Sequence, residues 1–198
     1  LPLLNIVAIS FSSSAAVEGN MVGLIPVGFS TAAYEKILED SQFWHSFLIS
    51  VERVVLTLII NFVLIVLMAY PLSKTNAQFR GRNIYANLMI FAMLFNGGMI
   101  PTFLLVKSYG LLNTVWALVL PGAVPIFNVI LVMNFFAAVP KELEEAAFID
   151  GANPLQVLTK IFIPISKPVL ATVSLFSIVG SWNDFYSGLI YMSKAAYY

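Results

Sequence analysis

The chain has 198 residues, of which 60% are hydrophobic and 10% charged, and its formal net charge is zero. A water-soluble domain carries roughly 25% charged residues, so this composition cannot clothe a solvent-facing surface, and the neutral balance argues against a nucleic-acid partner. The sequence has no cysteine, which excludes disulfides and thiolate metal sites.

In chain order, the apolar stretch from Leu1 to Phe11 is too short to cross a bilayer and reads as the end of a first transmembrane helix. No basic region precedes it, so it is not a signal peptide. The chain reads as cut at both ends. Residues 12–42 form a more polar segment ending in Phe29-Ser-Thr-Ala-Ala-Tyr34-Glu-Lys36, Glu39 and Asp40. Two readings stand for it: a contact surface for a partner, or an amphipathic helix on the membrane surface.

Four full spans follow. The first of them starts near Phe43 and carries the uncharged run Val54–Tyr70, the next covers Asn83–Val106, and a third lies within Ser108–Pro140. The last covers Pro168–Asn183. Basic residues set the direction. Lys74, Arg80, Arg82, Lys141, Lys160 and Lys167 fall on one side, against Lys36, Lys107 and Lys194 on the other. The richer side is cytoplasmic by the positive-inside bias, which puts residues 12–42 and the C-terminal end outside. The architecture expected is an all-α integral membrane domain, with residues 43–198 as one domain.

Between the last two spans lies a polar island. Pro140 suits a first helical turn, with Glu142, Glu144 and Glu145 near the positive end of the helix. Gly151 suits the left-handed residue that closes a helix. Asn153 then caps a second helix with Pro154 in its first turn and Gln156 placed for a reciprocal cap. Pro164 and Pro168 limit that helix. The sequence writes two short helices joined by a tight turn. Ala146, Ala147, Gly151 and Ala152 leave room for close approach, and Leu155, Leu158 and Phe162 supply an apolar stripe. The plainer reading is an amphipathic connector lying on the bilayer.

This island resembles the EAA loop of ABC-transporter permeases. Glu145-Ala-Ala, three residues, Gly151, nine residues, Ile161, one residue and Ile163-Pro164 reproduce every interval, with Ile163 standing for leucine. Further stretches fit the carbohydrate-importer branch of the MetI-like permeases, the maltose-permease type and its relatives for polysaccharide-derived oligosaccharides. They are Ala69-Tyr-Pro-Leu-Ser73, Phe79-Arg-Gly-Arg82, Asn96-Gly-Gly-Met-Ile-Pro101, Tyr109-Gly-Leu-Leu-Asn-Thr114, Leu120-Pro-Gly122 and Ser181-Trp-Asn-Asp-Phe185. The resemblance implies a MetI-like core truncated to four full spans and part of a first, lacking a sixth. It therefore predicts that the chain does not assemble stably alone. It implies alternating access driven by an ATP-binding cassette ATPase dimer, beside a second homologous permease and an extracellular or periplasmic substrate-binding protein. ATP hydrolysis then belongs to the partner, and no cofactor or metal is expected. Glu145, Ala146, Ala147, Asp150 and Gly151 are implied to dock the ATPase. Alternatives are an importer of amino acids, peptides or ions, and a membrane scaffold or channel.

Within the membrane, Asn96 and Gly97, with Gly98 and Pro101, interrupt a span, either for packing or to line a path. Asn128 and Asn134 are six residues apart, about 120° from alignment on one helical face, so they need not line one wall; Asn134 joins Asn96 and Gly97 as a candidate for the translocation path. Trp182, Asn183 and Asp184 end the last span, where an aromatic face and hydrogen-bonding groups suit a sugar and equally suit an interfacial anchor. Glu52 and Arg53, adjacent inside a span, are expected to be structural, touching a partner permease or the outer vestibule. His45 alone makes no metal site.

Overall fold

The computed structural model describes residues 2–193, whose regular structure is helical, with no strand among them. Lys194 and the C-terminal residues assigned to the outer side lie outside the described residues, as does Leu1. The chain divides into two compact units between Leu48 and Ile49.

The first unit contains α1 (Pro2–Ser10), α2 (Ser14–Glu18) and α3 (Ala32–Glu39). The segment after α1 folds back on it. The Asn5 amide donates to the carbonyls of Val22 and Gly23, and Phe11 stacks on Phe29 with ring centres 5.7 Å apart. Tyr34 closes the cluster by donating to the Ser10 hydroxyl at 2.7 Å. No residue of α3 is buried.

Helix α4 (Ser41–Leu72) runs 32 residues, roughly 48 Å at 1.5 Å per residue, and is by itself long and apolar enough to cross a membrane. The second unit continues with α5 (Arg82–Leu94), α6 (Met99–Ser108), α7 (Val115–Val119) and α8 (Ile126–Ala137). It then carries α9 (Lys141–Ile149), α10 (Pro154–Val157), α11 (Ile163–Ile165), α12 (Lys167–Asn183) and α13 (Phe185–Tyr191). Up to four spans result if each bent helix pair crosses once.

Asn83–Val106 is not a single rod. Helices α5 and α6 meet at 112°. The break is set by Gly98, whose φ of 86° and ψ of 179° lie in a region open essentially to glycine. Asn96 Oδ1 accepts from the Gly98 N–H at 2.9 Å and fixes the turn. Pro101, expected to interrupt the span, instead sits in the first turn of α6, where its missing N–H costs nothing. The bend between the α7 segment, which ends in a 3₁₀ turn at Leu120–Gly122, and α8 is milder at 48°.

The helix begun at Pro154 ends between Pro164 and Pro168, as expected, but takes Pro164 into its last turn: it runs to Ile165 through a widened π turn over Leu158–Phe162. An ordinary turn would set the proline ring against a carbonyl one turn back, and the widened turn moves that carbonyl aside. The direction changes by 84° only at Ser166.

The core of this unit lies where the loop helices join the spans. Ile65, Val66, Ala69 and Leu72 of α4 pack with Val129, Val132 and Phe136 of α8, with Val157, Leu158 and Phe162 of the loop, and with Val169, Leu170 and Val173 of α12.

Candidate functional site

The loop is built as a helix–turn–helix. Helix α9 starts after Pro140, which acts as its N-cap and not as its first residue. It ends in a Schellman turn: Gly151, at φ 81°, donates to the Phe148 carbonyl, and Ala152 donates to the Ala147 carbonyl at 2.9 Å. The space around Gly151 is open, so its requirement is conformational and not steric. Two residues on, the expected reciprocal cap is formed. Gln156 N–H donates to Asn153 Oδ1 and Asn153 N–H to Gln156 Oε1, both at 2.9 Å.

The crook between the two helices encloses a groove of about 480 Å³. Ala147, Asp150 and Gly151 line it from the first arm, and Gln156, Val157 and Lys160 from the second. Glu145 and Ala146 are exposed on α9. Of the five loop residues singled out from the sequence, three line the groove and two face solvent beside it.

Glu144 does something else. It is buried, and its carboxylate takes the Lys74 ammonium at 2.7 Å. That ammonium also lies 4.1 Å from the ring centre of Tyr70 and 4.2 Å from that of Phe162. Burial pushes the pKa of Lys74 below the ordinary lysine value, and Glu144 opposes the shift. The pair also places the Lys74 turn and the Glu-Ala-Ala loop at one end of the bundle, as the distribution of basic residues required.

The opposite end carries a polar cavity of about 290 Å³. Arg53, Thr57 and Asn61 present one face of α4 to it, each four residues from the next, all buried. Asn128 of α8, Ser177 and Ser181 of α12, Asp184, and Ser187 and Tyr191 of α13 complete the polar lining. Arg53 pairs with the Asp184 carboxylate and donates through Nη1 to the Asp184 carbonyl at 2.8 Å. Asp184 also caps α13 by accepting from Ser187 N–H. The Asn61 amide donates to Ser177 Oγ at 3.2 Å. Arg53 Nε, Thr57 Oγ1 and Asn61 Oδ1 are buried without a hydrogen bond to the protein.

Of the six membrane residues expected on a translocation path, Asp184 lines this cavity. Asn96 and Gly97 form the exposed break between α5 and α6. Asn134 is exposed, while Asn128 is buried in the cavity wall, as their angular offset allows. Trp182 is exposed, and Asn183 turns back to the Val179 carbonyl at 2.9 Å. Arg53 holds a structural contact within its own chain, and Glu52 is exposed. Thr57, Asn61, Asn128 and Ser177 were not singled out as a set. The signal was the four-residue spacing of 53, 57 and 61 within an apolar run.

Residues 26–196 match the family described as the binding-protein-dependent transport system inner membrane component. The chain belongs to that family. Protein LplC of Bacillus subtilis is 44% identical over 196 residues, covering 99% of this chain and 66% of LplC. The polygalacturonan/rhamnogalacturonan transport system permease protein YtcP of the same organism is 43% identical, covering 99% of this chain and 68% of YtcP. A crystal structure of a bacterial ABC transporter that imports the acidic polysaccharide alginate includes a chain superposing with a TM-score of 0.93 at 37% identity. That match covers 99% of this chain and 69% of that one. The chain thus spans about two thirds of the length of these relatives. Family membership places this permease in the inner membrane with an all-α MetI-like core.

Proposed function

We propose that this chain is the permease subunit of an ATP-driven importer of oligosaccharides, in which the α9–α10 loop receives the motion of an ATPase subunit. The observation that carries the reading is the rigid turn at Gly151–Asn153. A Schellman closure runs directly into a reciprocal cap, and the second arm is anchored in the core through Val157, Leu158 and Phe162. Such an element moves as one piece, because a close-packed interior passes displacement on without absorbing it. The exposed Glu145 and Ala146, with the small-residue groove beside them, offer the ATPase its seat. The loop end is cytoplasmic and the cavity end faces outward.

The polar cavity is part of the solute path. Broken helices and unpartnered polar groups at membrane depth belong where they meet a hydrated route. The mixed donors and acceptors suit a hydroxyl-rich solute, with Arg53 and Asp184 neutralising each other. The names of the relatives, for polygalacturonan/rhamnogalacturonan and for alginate, support a carbohydrate. In the mechanism, a loaded binding protein docks outside, ATP closes the paired ATPases, and the loop tilts the spans from inward-open to outward-open. The permease itself makes and breaks no covalent bond. A scaffold or non-ATP channel would have no use for the rigid loop.

The test is affinity purification of the full-length protein from its own membrane beside its Glu145→Arg variant, with partners identified by mass spectrometry. Recovery of an ATPase and a second permease, with the ATPase lost from the variant, is expected. Recovery of neither, under conditions that keep other importers intact, would overturn the reading. Gly151→Pro should leave ATP hydrolysis running without transport, because proline cannot adopt positive φ. Full transport by that variant would remove the loop from the mechanism.

A further inference from the structure

We propose that Lys74 is a positioning residue for coupling: it clamps α9 directly to the end of α4, so that loop motion reaches that span by a second route besides the Gly151 turn. This inference rests on the docking reading of the loop.

The geometry argues for it as follows. Lys74 lies two residues beyond the end of α4. Its ammonium contacts groups on three separate pieces of chain: Tyr70 on α4, Glu144 on α9, and Phe162 in the π turn. Tyr70 and Phe162 themselves meet edge to face with ring centres 5.1 Å apart. The ammonium therefore sits in a cage of two aromatic faces and one carboxylate. Side-chain exposure is 12% for Lys74 and 11% for Glu144, so the pair is not a solvent-screened surface bridge, which would carry little.

Helix α9 needs such a link. Glu144 is its buried residue, and among its apolar side chains Ala147 packs against the core. Leu143, Phe148 and Ile149 are exposed. With no wide apolar face, α9 is held by the turn at its C-terminal end and by the Lys74 pair in its first turn. Two attachments at opposite ends prevent a helix from pivoting, whereas one permits it. A force applied at Glu145 and Ala146, between the two attachments, then reaches α4 through Lys74 and α12 through α10.

These 198 residues hold no cysteine, so a single introduced thiol can report on them. The full-length protein carrying Ser181→Cys, in the cavity wall, with any cysteine elsewhere in it replaced, is reconstituted with its ATPase and second permease, both also made cysteine-free. A membrane-impermeant maleimide then reads the labelling rate with and without ATP plus vanadate. In the clamped protein the nucleotide changes that rate. Lys74→Met is expected to keep ATP hydrolysis while the ratio of the two rates falls to unity. Glu144→Gln should do the same, and the double variant should be no worse than either, because a pair acting as a unit is non-additive. Where Lys74→Met does not assemble, the double variant carries the test, since it leaves no unpaired buried charge. An unchanged ratio in Lys74→Met, or in the double variant, overturns the clamp. So does parallel loss of hydrolysis, assembly and ratio in every variant, which marks a merely structural pair. A parent protein whose labelling ignores nucleotide defeats the docking reading itself, and is told apart from a responsive parent whose variants respond equally.

Discussion

The buried face of α4 changes character halfway along. Arg53, Thr57 and Asn61 continue in register into Ile65, Ala69 and Leu72. The first three border a cavity and leave three polar atoms without a protein partner. The last three meet Val132, Phe136 and Leu158 in a dry core. One helix therefore serves two kinds of packing. Its loop end is tightly packed, which suits the force transmission proposed for it. Its far end borders a cavity with polar groups in its wall, which suits the proposed solute path. An ion pair marks each end, but Lys74 and Glu144 are both enclosed, whereas the Asp184 side chain is 31% exposed beside the cavity.

The sharpest way to break this contrast is to open a hole in each half. Phe136 is 2% exposed and meets the Phe162 ring edge to face at 5.4 Å. Phe136→Ala should lower the stability of the assembled importer by about 4 kcal/mol, read as a fall in its melting midpoint in detergent with coupling lost alongside. Arg53→Met is the matching change at the far end. It leaves the Asp184 carboxylate without its partner, but that carboxylate keeps the Ser187 N–H and an opening to the cavity. Its cost should be about 2 kcal/mol, below the range for enclosed pairs. A larger loss for Arg53→Met than for Phe136→Ala would mean that the far end is the rigid one.

Much of this contrast was legible in the sequence at the loop end and little of it at the far end. Gly151, Asn153 and Gln156 act through neighbours three or four residues away, so spacing alone reveals the turn and its cap. The charge distribution likewise placed Lys74 on the side of the Glu-Ala-Ala loop. What spacing cannot reveal is which partner a charge finds. Lys74 and Glu144 are 70 residues apart, and Arg53 and Asp184 are 131 apart. Asn61 escapes notice because its run is marked as a span by the absence of charge, and an amide carries none. The 112° turn at Gly98 was foreseen as an interruption but not in size, since a glycine pair specifies freedom and the surrounding structure chooses the angle.

Smaller effects should follow at the turn. Gly151→Ala meets no atom within 4 Å, yet must hold φ at 81°, at a cost of roughly 1–2 kcal/mol. Asn153→Ala removes one half of the reciprocal cap and should cost about 1 kcal/mol. Both should appear in the full-length complex as faster amide hydrogen exchange over α9 and α10, with exchange in α8 unchanged. Faster exchange spread through α8 would show that the turn holds the core together instead of riding on it.

The smallest expected change in stability belongs to Asn61→Leu, and it separates the two halves most cleanly. The substitution removes a buried amide oxygen with no protein partner and a hydrogen bond to Ser177 Oγ. Ser177 keeps its own bond to the Val173 carbonyl at 3.1 Å, so no new orphan is created. Replacing imperfectly satisfied polar groups by apolar ones of similar shape is close to neutral, within about 1 kcal/mol. The melting midpoint should therefore barely move. Solute transport by the reconstituted importer should fall while ATP hydrolysis continues, because the cavity wall has lost a polar group facing the proposed path. The equivalent polar-for-apolar exchange one turn further on, Ile65→Asn, should do the reverse: it places an unpaired amide in the dry core and destabilises the assembly before any effect on transport can be read. If both variants shift stability equally, the two halves of α4 are packed alike, and the polar face is ordinary core with a satisfied interior.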